Sequence, residues 1–213
     1  MFGDDGNDDA AAREQMVDDL SSRIDRPSTE AAMRAVPRHA FVPTDRRGSA
    51  YEDRPLPIGT NQTISAPHMV AMMLDRLALE PGERVLEIGT GCGYHAAVTA
   101  EVVGAGNVYS VEYHANLAER ARETLADLGY GDVSVRVGDG HEGWPEHGSY
   151  DAAYLTCAAD AFPGAVVDQV RDGGRLLAPI GDGSQYLVYA DKWDDDLQRE
   201  RGSRVRFVPM RGD

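Results

Sequence analysis

Cysteine, lysine and long apolar runs are what this sequence has least of. Cys92 and Cys157 are the only cysteines among 213 residues. Two are too few for a disulfide framework or a cysteine-rich metal site, so a reduced, cytoplasmic setting is expected. Lysine occurs once, at Lys192, and Lys+Arg total 21 against 36 Asp+Glu, a net charge of −15. That balance disfavours nucleic acid and anionic membrane faces as partners. Asp outnumbers Glu, and an acidic surface of this kind suits a high-salt cytoplasm, where long-range repulsion is screened. No run of 18 or so apolar residues could span a bilayer, and Met1–Asp9 has neither the basic stretch nor the apolar core of a signal peptide. The histidines, His39, His68, His95, His114, His141 and His147, fall at no metal-ligand spacing, so no metal is expected.

What is present suffices for one compact domain with an extension. Residues 1–9 hold four Asp and two Gly and are expected to form a flexible acidic tail. Helical periodicity begins near Ala10 and continues to about Ile24, then resumes from Ser28, read as an N-cap, to Val36. Pro37–Ser65 has little periodicity and four prolines, the mark of a long irregular loop of the kind that carries function. Helix is expected again over His68–Leu79. Beyond it, strands at Arg84–Ile88, Asn107–Val111, Val133–Val137 and Asp151–Leu155 are separated by helices at Tyr94–Val103 and Ala115–Leu128. A helix near Pro163–Val170 precedes strands at Arg175–Ile180, Gln185–Ala190 and Val205–Val208. Strands alternating with helices predict a doubly wound α/β sheet covered on both faces. The expected organisation is a helical and loop segment over 10–66 and an α/β domain over 67–213, folded as one compact unit, with a monomer as the default.

The most informative local string is Val85-Leu86-Glu87-Ile88-Gly89-Thr90-Gly91-Cys92-Gly93-Tyr94, a strand entering a helix through three alternate glycines. A dinucleotide fingerprint needs its third glycine where Tyr94 stands, which weakens a nicotinamide dehydrogenase reading. Glycine at alternate positions, with an acid two residues earlier, resembles motif I of the class I S-adenosylmethionine-dependent methyltransferases. Glu112, ending the second strand, is positioned to accept hydrogen bonds from ribose hydroxyls. Gly138-Asp139-Gly140 sets a carboxylate in a turn where an adenine amino group can donate to it. The three sites in order trace one adenosyl ligand. Read alone, each also fits a plain turn or a solvated charge.

A second string lies upstream, Pro55-Leu56-Pro57-Ile58-Gly59-Thr60-Asn61-Gln62-Thr63-Ile64-Ser65-Ala66-Pro67-His68-Met69-Val70-Ala71. It resembles the signature of the protein-L-isoaspartate O-methyltransferases. Further matches are Ala35-Val36-Pro37-Arg38, Phe41-Val42-Pro43, Ala50-Tyr51, Tyr150-Asp151-Ala152, Gln169-Val170, Gly173-Gly174-Arg175-Leu176 and Phe207-Val208-Pro209-Met210. Departures are Ser149, Thr156-Cys157-Ala158-Ala159, and Val70, which stands where some relatives carry histidine.

The resemblance implies methyl transfer from S-adenosyl-L-methionine to the free carboxylate of L-isoaspartyl or D-aspartyl residues, so the expected partners are isoaspartyl-containing proteins and peptides. It sets Ser65 beside the acceptor, and Gln62, Thr63 and Ile64 against the cofactor. Glu87 falls near the cofactor's amino-acid end with Gly89 and Gly91, Glu112 and Tyr113 at the ribose, and Asp139 and Gly140 at the adenine. Ser65 also has a structural reading as the N-cap of a helix opened by Pro67. A related methyltransferase with another acceptor and a catalytically silent binding module remain the alternatives.

Overall fold

The computed structural model describes residues 5–194 and 196–212. The chain opens with helices α1 (Asp5–Leu20) and α2 (Pro27–Ala35), followed by 3-10 turns at Arg38–Phe41 and Thr44–Ser49. Helix α1 begins five residues before the expected start at Ala10, and residues 1–4 of the expected tail lie outside the described residues. Acidic residues near a helix N-terminus are favoured by the aligned peptide dipoles, so a run of Asp extends this end of the helix. In α2 the helix starts at Pro27, with Arg26 at the cap position, so Ser28 is not the N-cap. Proline's fixed φ opens a helix without a side-chain cap.

The segment read as irregular contains a hairpin, β1 (Leu56–Gly59) and β2 (Gln62–Ile64), joined through Thr60 and Asn61 at φ 51° and 56°. Two successive positive φ values make the tight turn whose twist suits antiparallel strands. Helix α3 (Pro67–Leu77) follows and stops at Ala78, which adopts φ 52°.

The remaining elements are β3 (Val85–Ile88), α4 (Tyr94–Val103), β4 (Val108–Glu112), α5 (Ala115–Asp127), β5 (Ser134–Val137), β6 (Tyr150–Leu155), α6 (Gly164–Gln169), β7 (Val170–Ile180), β8 (Gln185–Trp193) and β9 (Asp196–Val205). They form a seven-stranded sheet in the order β5-β4-β3-β6-β7-β8-β9. Strands β3 to β7 run parallel, and β8 and β9 return antiparallel. The expected last strand, Val205–Val208, is displaced: β9 ends at Val205. The turn between β8 and β9 holds Asp194, whereas Asp195 lies outside the described residues.

Alternation along the strands assigns the faces. Val85, Val108, Ala152, Tyr154 and Leu177 pack with α1 to α5 in one cluster, which also takes Met16, Val17, Met33 and Phe41 from the N-terminal segment. Leu86, Ile88, Val111, Ala153 and Leu155 face the other way, under Val166 of α6, Trp144 and the C-terminal Val208 and Met210. Of the helical methionines, Met73 is buried while Met69 and Met72 pack against the same core. Strand order reverses between β3 and β6, the switch point where the carboxyl ends of parallel strands leave a crevice.

Candidate active site

A cleft opens at that switch point, between the turn after β3 and the β1–β2 hairpin. Its lower wall is the turn after β3. Gly89 and Gly91 hold φ of 100° and 57°, and the Gly89 amide bonds Val111 O at 2.8 Å. A Cβ on Gly89 would strike Thr156 Oγ1, and one on Gly140 would strike Ile88 Cγ2. Both glycines line the cleft, so only bare backbone fits there without displacing the side chains of its wall.

Glu112 ends β4 and is buried, its Oε2 accepting from Gly91 N at 2.8 Å and its Oε1 from His114 N at 2.9 Å. One carboxylate thereby ties the glycine turn to the loop after β4 and still faces the cleft. Tyr113 stands at the rim, partly exposed. Gln62, Thr63, Ile64 and Ser65 come from β2 and its exit, with Gln62 Nε2 3.4 Å from His114 Nε2. The hairpin forms the opposite lip. Asp139 does not line the cleft. Its Oδ1 accepts from His141 N at 2.8 Å, and Gly140 beside it makes the contact surface.

Ser65 is not a helix cap. Ala66 occupies the cap position of α3 with no side-chain bond, and the Ser65 hydroxyl has no hydrogen-bond partner among the described residues. Proline at the first position again opens the helix unaided. The hydroxyl is left available where the cleft meets a second, outer groove, since Ser65 lines both.

Glu87 lies behind the cleft wall. It is fully buried and in register with Ser110 of β4 and Tyr154 of β6 on the face under α4. Its Oε2 accepts from Ser110 Oγ at 2.5 Å, and Tyr154 donates to Oε1 at 2.9 Å. Thr90 Oγ1 lies 2.6 Å from Ser110 Oγ, and Thr99 Oγ1 2.9 Å from Tyr154 Oη. The result is a buried polar row. Burial, opposed by the two hydroxyl bonds, pushes the Glu87 carboxyl up to about 8.

His95 was not singled out by sequence reasoning. It sits in the first turn of α4, lines the cleft and stacks on Tyr154 with ring centroids 4.6 Å apart. Neither ring nitrogen has a partner among the described residues, and burial drives its pKa down to about 3. A neutral imidazole must carry one N–H, so His95 has a donor to offer a ligand. The C-terminal segment was matched in sequence without a role. Ala158 N donates to Val208 O at 2.8 Å and Met210 N to Ala158 O at 2.7 Å, which folds residues 208–211 over the cleft. Cys157, also in the wall, is buried and its thiol is pushed up to about 12, which leaves it no thiolate at neutral pH. Among the described residues no helix is long and apolar enough to cross a membrane.

The sequence model of the family described as protein-L-isoaspartate(D-aspartate) O-methyltransferase (PCMT) matches residues 11–213. The chain is 51% identical over 184 residues to protein-L-isoaspartate O-methyltransferase 2 of Archaeoglobus fulgidus, covering 85% of this chain and 84% of that one. Among solved structures, a protein-L-isoaspartate O-methyltransferase superposes with a TM-score of 0.89 at 31% identity, over 94% of this chain and 66% of the other. A putative protein-L-isoaspartate O-methyltransferase from Plasmodium falciparum, solved in complex with S-adenosyl-L-homocysteine, gives a TM-score of 0.83 at 25% identity over 93% of this chain and 98% of that chain. With its doubly wound sheet and glycine-floored cleft at the switch point, the chain belongs to the protein-L-isoaspartate(D-aspartate) O-methyltransferase family of S-adenosylmethionine-dependent class I methyltransferases.

Proposed function

We propose that this chain repairs damaged proteins by methylating the free α-carboxylate of L-isoaspartyl residues, or the side-chain carboxylate of D-aspartyl residues. The observation that carries this reading is the Ser65 hydroxyl, without a hydrogen-bond partner among the described residues, at the junction of the glycine-lined cleft and an outer groove. S-Adenosyl-L-methionine, when bound, supplies an electrophilic methyl group on its sulfonium. Gly89, Gly91 and Gly140 present bare backbone to such a ligand, and a Cβ on Gly89 or Gly140 would displace the cleft wall at Thr156 or at Ile88 and Met210.

The acceptor chemistry asks little of the protein. A carboxylic acid with pKa near ~3.5 is ionised at neutral pH and needs no general base. What remains is to hold it in line and keep water away. Ser65 donates to the acceptor carboxylate and orients it. Glu112 accepts from the ribose hydroxyls beside Tyr113, and Gln62, Thr63 and Ile64 close over the donor. Gly140 receives the adenine face while Asp139 holds its turn, and His95 offers its N–H toward the amino-acid end, backed by Glu87. Residues 10–66 and 67–213 act as one unit. The −15 charge supports work at high salt on isoaspartyl proteins rather than on nucleic acid or membranes, the two cysteines suit the cytoplasm, and a monomer is the default.

The test is incubation with methyl-labelled S-adenosyl-L-methionine and a matched pair of peptides, one isoaspartyl and one aspartyl. Label is expected only in the isoaspartyl peptide, as a base-labile ester. Equal labelling of both, or of neither, sinks the reading. One charge-assisted hydrogen bond from Ser65 is worth ~1.5–3 kcal/mol. Ser65→Ala is therefore expected to lower kcat by roughly ten- to a hundredfold with the fold intact. Steady-state kinetics with circular dichroism checks it, and an unchanged kcat removes Ser65 from the mechanism.

A further inference from the structure

The groove outside Ser65 has a charge pattern opposite to that of the molecule. Its lining includes Arg204, Arg206 and His68 and not one Asp or Glu, in a chain that carries 36 acids. Arg204 and Arg206 stand two residues apart at the end of β9, both exposed. Neither makes an ion pair with any described residue, as is also true of Arg47, Arg199 and Arg201; what distinguishes Arg204 and Arg206 is that they share a groove whose lining holds no carboxylate. The one side-chain contact of Arg204 is to Ser184 Oγ at 3.5 Å, too long to occupy it. Asp53, behind His68, is already engaged by that residue's amide at 3.0 Å and its ring at 2.7 Å. Met69 and Phe207, both partly buried, add apolar surface to the same groove.

In a protein of net charge −15, a groove lined by two arginines and a histidine, with no carboxylate in its lining and no described residue paired to either guanidinium, is a local reversal of sign. A local cationic patch on an anionic body attracts anionic segments and rejects cationic ones. Arginine also binds carboxylates through a planar pair of N–H groups. We infer that this groove is the docking site for the polypeptide stretch flanking the isoaspartyl residue, and that Arg204 and Arg206 select stretches rich in Asp and Glu. The inference rests on the proposed acceptor chemistry, because Ser65 is the residue shared by the groove and the cleft. The acceptor carboxylate enters past Ser65 while its neighbours lie along the arginines.

The experiment uses three isoaspartyl peptides of one core sequence, flanked by Asp and Glu, by Ser and Gln, or by Lys. Their Kd values are measured by fluorescence anisotropy in the presence of S-adenosyl-L-homocysteine, and kcat/KM by ester formation. At about 0.2 M salt the acidic peptide is expected to bind at least about tenfold more tightly than the Lys peptide, and at about 2 M salt within about twofold. The double variant Arg204→Gln/Arg206→Gln is expected to cut the acidic-to-basic ratio to under about threefold at low salt. Arg122→Gln/Arg171→Gln, with the same change in net charge away from the groove, is expected to keep the ratio of the unaltered protein. A flat Kd series overturns the inference, and so does a ratio that falls equally in both double variants, which would make it a matter of net charge. Failure of all three peptides to be methylated, with the Kd ranking intact, would instead strike the proposed acceptor and leave the docking site standing.

Discussion

Gly89→Ala is expected to lower the affinity for S-adenosyl-L-homocysteine by more than about a hundredfold and to reduce stability by about 3 kcal/mol. Gly89 holds φ 100°, a conformation that an alanine adopts only with strain, and its amide is committed to Val111 O at 2.8 Å. The chain therefore cannot relax by rotating there without breaking the link between β3 and β4. The added methyl would also strike Thr156 Oγ1, a hydroxyl that donates to Gly89 O at 2.5 Å. Thr156 lines the cleft, so its displacement carries the wall into the ligand's space. Strain of ~1–3 kcal/mol adds to about 1 kcal/mol for the disturbed hydrogen bond. Gly82→Ala separates the two effects. Gly82 has φ 87° and nothing within 4 Å of the place a Cβ would take, so this variant is expected to lose ~1 kcal/mol of stability and no affinity. Urea unfolding and calorimetric titration give both quantities. An affinity unchanged in Gly89→Ala would mean that the turn does not contact the ligand.

The part of the site most legible in sequence is the part built from backbone. Gly89, Gly91 and Gly140 announce close approach because no other residue leaves the space, and the strand-then-helix pattern around Gly89 fixes where that space lies. Side-chain direction is harder to read. Glu87 is followed by the glycine turn and invites a ligand role, but strand alternation points it under α4, toward Ser110 and Tyr154, and only the sheet's register reveals which face that is. His95 gave no signal because scattered histidines were weighed as metal ligands, and its value lies in ring nitrogens that have no hydrogen-bond partner among the described residues. The β1–β2 hairpin was illegible because its strands are short, one contains Pro57, and its turn uses Thr60 and Asn61 rather than glycine. Strand β9 is exposed along most of its length and carries no alternating apolar pattern. Only pairing with β8 holds it in the sheet. The same exposure leaves Arg204 and Arg206 open beside Ser65, a conjunction between residues about 140 positions apart that no local pattern encodes.

Glu87→Gln is expected to flatten the pH dependence of stability between pH 5 and 8. The carboxyl ionises near 4.5 when solvated and near 8 in the fold, where burial is the dominant cause and the two hydroxyl bonds and the nearby Glu112 charge are lesser ones. Between those values the unfolded chain has lost a proton that the folded chain keeps. Folding then takes up a proton, so stability is highest below pH 4.5, declines as pH rises toward 8, and levels off above it. One proton corresponds to ~1.4 kcal/mol per pH unit, so the decline from pH 5 to pH 7.5 is about 3 kcal/mol. Glutamine keeps an acceptor for Tyr154 and a donor for Ser110, whose own hydroxyl turns to Thr90 Oγ1 at 2.6 Å. It has no proton to lose. The readout is the difference between the two proteins, measured by urea unfolding at matched ionic strength, since the −15 background charge acts on both. That difference is expected to move by about 3 kcal/mol in favour of Glu87→Gln across this range. A difference independent of pH would mean that Glu87 is ionised in the fold, with two adjacent negative charges behind the glycine turn. Burial, acting against the two hydroxyl bonds, keeps Glu87 neutral behind the wall and leaves Glu112 as the carboxylate that lines the cleft, while the row of hydroxyls braces β4, β3 and β6.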